Sequence, residues 1–142
     1  MAITTSMATS FKQELMVGTH NFTNTTGDTF KIALYTSSAT LSAATTAYSA
    51  INEASGTNYT AGGATLVNAT PTTSGTTAYA DFTDAAWATS TVTARGCGIY
   101  NSTDSNKWVS AHDFGGDVST TAGTFTIVFP AADASNAILR IA

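Results

Sequence analysis

Val92-Thr-Ala-Arg-Gly-Cys-Gly-Ile-Tyr100, Asn101-Ser-Thr-Asp-Ser-Asn106 and Lys107-Trp-Val-Ser-Ala-His-Asp113 follow one another directly, and their reading decides the fold class. The outer two segments read as strands. The hexapeptide between them is almost wholly made of turn formers. The run therefore predicts a β-hairpin with a loop somewhat longer than the tightest types. Upstream, Thr29-Phe-Lys-Ile-Ala-Leu-Tyr-Thr36 alternates, with Phe30, Ile32 and Leu34 on one face and Lys31, Ala33 and Tyr35 on the other. Downstream, Thr124-Phe-Thr-Ile-Val-Phe129 is a strand stopped by Pro130, and Ala137-Ile-Leu-Arg-Ile-Ala142 is another, expected to be pinned inside a sheet. Weaker strands are predicted at Ala64–Asn68 and Ala78–Phe82 and around Ala86–Ala88, with turn signals at Gly56, Gly62-Gly63, Pro71 to Gly75, Gly115-Gly116 and Gly123. The pattern is mainly β: an antiparallel β-sandwich of about seven or eight strands with one short N-terminal helix. Ser37 to Asn58 and Asn68 to Thr77 lack a clear period and read as long surface loops.

The helix is predicted from Thr9 and Ser10, which offer N-cap oxygens, and from Gln13, which completes a capping box with Ser10. Phe11, Leu15 and Met7 share a face, and Gly18 is a natural terminator. A segment this short must pack on something larger. Phe11 and Leu15 are therefore expected to be buried, against the sandwich or against a partner subunit, in a helical arm over about residues 6–18. The chain reads as a single domain, 1–142.

Charge narrows the function classes. Of 142 residues 43% are hydrophobic and only 10% charged, with a net charge of −4. Five Lys and Arg cannot build the basic face that nucleic acid or an anionic membrane requires, so neither is an expected partner. The single cysteine, Cys97, excludes an intrachain disulfide framework and a multi-cysteine zinc site, and it reads as a small core residue. The first residues carry no cationic region followed by an apolar run, and no stretch is long and apolar enough to span a bilayer, so synthesis and folding in a cytoplasm are expected. The sequons at Asn21, Asn24, Asn58, Asn68 and Asn101 are the chance product of 29 threonines.

No catalytic, cofactor or metal site is predicted. His112 and Asp113 are adjacent, so on a strand they face opposite ways and cannot act as a base with its orienting carboxylate. Asp81-Phe-Thr-Asp84 and Asp113-Phe-Gly-Gly-Asp117 lack the regular oxygen spacing of a calcium loop and read as turns. Trp87 and Trp108 are candidates for a glycan platform, against which stands the commoner role of strand aromatics as core. Arg95, inside a strand of a charge-poor chain, is expected to pair with Glu14 or an Asp, or to reach a neighbouring subunit. Phe11, Leu15 and Arg95 are the candidate interface residues.

Four stretches together carry a resemblance: Thr9-Ser-Phe-Lys-Gln-Glu-Leu-Met-Val-Gly-Thr-His-Asn-Phe22, Tyr59-Thr-Ala-Gly-Gly-Ala-Thr-Leu66, Thr93-Ala-Arg-Gly-Cys-Gly-Ile-Tyr-Asn101 and Gly123-Thr-Phe-Thr-Ile-Val-Phe-Pro-Ala-Ala132 with the strand through Ile141. The chain resembles a group of small virion structural proteins of tailed bacteriophages, especially those of environmental and marine genomes. The likeness spans nearly the whole chain, and its motifs are structural, so it brings no site residues. It implies a non-enzymatic component of the virion, assembled in the host cytoplasm and contacting copies of itself and other virion proteins, the major capsid protein or tail and connector proteins. A capsid decoration (cement) protein is placed first, a tail or head–tail connector protein second, and a receptor- or glycan-binding module third. The charge deficit, with no lysine-studded strand to guard an edge, adds the expectation of a homo-oligomer.

Overall fold

The computed structural model describes residues 2–142. One helix, α1 (Thr9–Met16), accompanies ten strands: β1 (Ser6–Met7), β2 (Phe30–Tyr35), β3 (Ala64–Thr65), β4 (Asn68–Ser74), β5 (Thr77–Phe82), β6 (Ala85–Ser90), β7 (Thr93–Asn101), β8 (Lys107–Ser119), β9 (Gly123–Ile127) and β10 (Leu139–Ile141). The fold is mainly β and every paired strand is antiparallel. A five-stranded sheet runs β1-β8-β7-β2-β3, a three-stranded sheet β10-β5-β4, and β6 pairs with β9. Among the described residues no helix is long and apolar enough to cross a membrane.

The β7–β8 hairpin is the spine of the larger sheet, and β2 lies along β7 with Phe30 opposite Asn101 and Tyr35 opposite Gly96. The alternation in β2 is real, yet both of its faces are buried. Phe30 stacks on Phe22 at 4.3 Å between ring centroids and tilts onto Phe82, so this face meets the segment after α1 and the three-stranded sheet. Tyr35 packs edge-on against Trp108, on the face covered by the long connection between β2 and β3. Trp108 is fully buried over Gly98, where a Cβ would overlap the indole ring. A glycine here lets the ring lie flat on the backbone.

Several expectations need correction. Asn68 to Thr77 is no loop but the β4–β5 hairpin; β4 is exposed from Thr70 onward, so it shows no apolar alternation, and Pro71 sits at a register shift between Ala69 and Thr72. Asp113 to Asp117 is likewise part of a strand. Ala94 to Gly96 on β7 spans Val118 to Asp113 on β8, so the surplus residues form a bulge, with Gly115 at φ +82°. The C-terminal strand pairs only with β5 and forms an edge. The connection over 36–63 does lack strands of its own, but bridges Tyr35–Glu53, Ala47–Lys107 and Thr57–Thr91 fasten it to the sheets.

The helical arm is also shorter than predicted. Ser6 and Met7 pair with Ala111 and Ser110 as a strand, and the N-cap is Ala8, without a side-chain cap bond. The Ser10 hydroxyl is buried with no partner, so the predicted capping box does not form. The helix end is as expected: Gly18 N–H donates to the Leu15 carbonyl and Thr19 N–H to the Glu14 carbonyl, the paired bonds of a Schellman motif. Phe11 is fully buried, whereas Leu15 is half-buried at the margin of the core.

Candidate functional site

The turn at Gly18 folds His20 back beneath α1, where its side chain is wholly buried. His20 Nε2 lies 3.0 Å from Glu14 Oε2, and Asn101 Nδ2 lies 3.0 Å from His20 Nδ1 and 2.7 Å from Asp28 Oδ2. Asn101 Oδ1 accepts from the backbone N–H groups of Thr103 and Asp104, which fixes which way the amide points. Nδ1 must then accept and Nε2 donate, giving the tautomer with its proton toward Glu14. The result is a buried chain, Glu14–His20–Asn101–Asp28, joining helix, strand and loop. Both ring nitrogens are occupied by protein partners, so this imidazole fastens α1 to the sheet and has no free nitrogen for a substrate.

A half-buried carboxylate, Glu53, holds the 36–63 connection. Glu53 accepts from the Tyr48 and Tyr59 hydroxyls, each at 2.6 Å, and from Gly62 N–H at 2.8 Å. Tyr100 donates to the Gly62 carbonyl and Tyr35 to the Ser49 carbonyl. Burial pushes all four phenols up, Tyr100 to about 12, so they stay protonated and serve as donors. Sequence reasoning passed over Glu53. Its signal was there: a lone acid in a neutral stretch, bracketed by Tyr48 and Tyr59.

The third constellation is different, because it faces open space. Ser110 Oγ lies 2.9 Å from His112 Nε2, two residues apart on one face of β8. Burial lowers the His112 imidazole below its ordinary value. The pair has the spacing of a nucleophile and its base. Asp113 points away, as predicted, and its Oδ1 accepts from Arg95 Nε at 3.1 Å and from Gly115 N–H; these bonds hold its carboxyl below the usual range. No carboxylate hydrogen-bonds the His112 ring among the described residues.

The other predicted residues fall as follows. Trp87 is buried against Tyr59 and Phe125, and Trp108 is fully buried, so neither offers a glycan platform; aromatic area this large is used to close the core. Arg95 takes Asp113 as its Asp partner, while Glu14 goes to His20. Phe11 lies inside the chain and not on a contact surface. Burial pushes the Cys97 thiol up to about 12, which leaves it inert as a nucleophile at neutral pH. Asp81 is 1% exposed; its Oδ1 accepts from Phe82 N–H, and its Oδ2 has no partner. Among the described residues no group of three or more His, Cys, Asp or Glu gathers closely enough to hold a metal.

The surface feature that stands out is apolar. Leu15, Pro71, Ala78, Ala80, Leu139 and Ile141 line a groove of about 150 Å³ along the three-stranded sheet. Met16 (81% exposed) and Val17 (65%) follow Leu15 directly, and Ile141 is 59% exposed. Strands β10 and β4 are the open edges of this same sheet. Leu15 is thus the one candidate interface residue that reaches an apolar surface. Compared with family models, curated proteins and solved structures, the chain matches none.

Proposed function

We propose that the chain is a non-enzymatic structural subunit of a tailed-phage particle, of the capsid-decoration kind, assembled in the host cytoplasm and built into the virion beside copies of itself and the coat protein. The observation that carries this reading is the coincidence, at one small sheet, of the groove lined by Leu15 and the exposed Ile141 with two open strand edges, beside a helix end that exposes Met16 and Val17. An apolar patch at an unpaired sheet is a liability for a solitary soluble chain and an asset for one that packs side by side. Support also comes from the resemblance of the four sequence stretches to small virion proteins. With charged residues at 10%, few ionic groups need desolvation at such contacts.

Quantitative mass spectrometry of purified particles tests the proposal. Copies in proportion to the major coat protein support decoration. A number fitting a single ring moves the chain to the tail or head–tail connector. Absence from particles overturns the structural reading.

A further inference from the structure

Two cavities meet at His112. One, of about 190 Å³, is bounded by Phe11, Phe22, Phe82 and Ile99 between the five-stranded sheet and the second layer. The other, of about 260 Å³, is bounded by Cys97, Phe114, Ile127 and Phe129. His112 and Ile138 line both, so the imidazole and the Ile138 side chain form the waist of one cleft. We infer that this cleft binds a small uncharged aromatic alcohol, its ring among the phenylalanines and its hydroxyl on the Ser110–His112 pair.

The inference goes beyond the structural role proposed above and does not depend on it. Size sets the first constraint: an apolar cavity of roughly 150 Å³ is enough to take up benzene. The Phe11 side, at about 190 Å³, exceeds that volume and accepts one six-membered ring with a substituent. The walls set the second. Aromatic edges and faces from three phenylalanines favour a ring over a branched aliphatic body.

Polarity sets the third constraint. No Lys, Arg, Asp or Glu lines either cavity, so neither a phosphate nor a carboxylate would find a counter-charge. What the cleft does offer is the Ser110 hydroxyl and the His112 imidazole, held together at 2.9 Å; the other two hydroxyls of its lining are engaged with backbone, Thr5 accepting from Asp113 N–H and Ser6 donating to the Thr4 carbonyl. The lowered His112 pKa keeps that ring neutral, so it presents one N–H and one bare nitrogen. A phenolic hydroxyl, itself both donor and acceptor, satisfies either arrangement. Ligand sites of this kind are apolar walls with a few placed polar groups.

The test is a titration with phenol, and in parallel with toluene, followed by NMR of uniformly labelled protein. Saturable shifts are expected at His112 and Ser110, with toluene binding about tenfold more weakly for want of the hydrogen bond. Ser110→Ala should remove most of that tenfold difference while leaving toluene binding unchanged. Ile138→Trp, which fills the waist, should abolish both. Equal affinity for phenol and toluene in the wild-type chain overturns the role given to the polar pair. The absence of shifts at His112 at millimolar phenol overturns the site itself, whatever the variants do.

Discussion

Gly98→Ala adds one carbon to the middle of β7, and its effect follows from a single contact. The new Cβ would overlap the ring of Trp108, which is 0% exposed and packs edge-on with Tyr35. Either the indole leaves its place or the β7–β8 backbone yields. Full eviction of an aromatic burying about 150–250 Å² costs about 4–6 kcal/mol at ~25 cal/mol/Å². A yielding backbone costs about 1–3 kcal/mol. Alanine recovers up to about 1 kcal/mol by restricting the unfolded chain. The net expectation is a loss of about 2–4 kcal/mol, or a melting temperature lower by roughly 6–15 °C for a domain of this size. Urea and thermal unfolding followed by circular dichroism measure it. Gly116→Ala is the control, because a Cβ there meets nothing within 4 Å. If Gly98→Ala melts within about 2 °C of the wild type, the indole is not seated on the strand and the packing argument fails.

Phe11→Ala should lower stability by about 3–5 kcal/mol and Leu15→Ala by about 1–2 kcal/mol, in line with a fully and a half-buried side chain; equal losses in urea titrations would contradict the burial difference. Asp81→Asn should raise the melting temperature at pH 7, with the gain shrinking toward pH 4. Burial raises this carboxyl above its ordinary 3.8, so its contribution to stability is complete below that value and lost as pH rises through the folded one. A gain independent of pH would point to a cause other than the buried charge. Arg95→Ala should leave the melting temperature nearly unchanged in both low and high salt, since the Arg95 and Asp113 side chains are 37% and 30% exposed.

Local pattern made some elements legible and hid others for definable reasons. The β7–β8 hairpin and β2 could be read because each buries a regular set of apolar positions, and period 2 survives even where both faces are covered. Strand β4 was invisible because its exposed Thr and Ser residues carry no apolar period; only the pairing of Asn68 with Phe82 and Ser74 with Thr77 makes it a strand. Gly115-Gly116 suggested a turn and proved to be a bulge, since glycines serve both and only the partner strand distinguishes them. Trp87 and Trp108 could be weighed as platform or core but not decided, because exposure is a property of the assembled layers. That Ser110 and His112 share a face follows from their spacing. That the face opens on a cleft depends on Ile138 and Phe129, which arrive from the other end of the chain.

The pairing of β1 with β8 joins Ser6 to Ala111 and Met7 to Ser110, across about a hundred residues. On a ribosome this separates the partners in time. At about 5–20 residues per second, β1 and α1 wait on the order of 5–20 s before the strand that receives them emerges. Phe22 and Phe30 can meet early, but β2 also needs β7, so the larger sheet closes late and nearly at once. Until then Phe11 has no cavity to fill and the apolar side chains of the first thirty residues stand open to any partner in the cell. Expression of this chain should accordingly respond to translation speed and to chaperone supply more than its small size suggests.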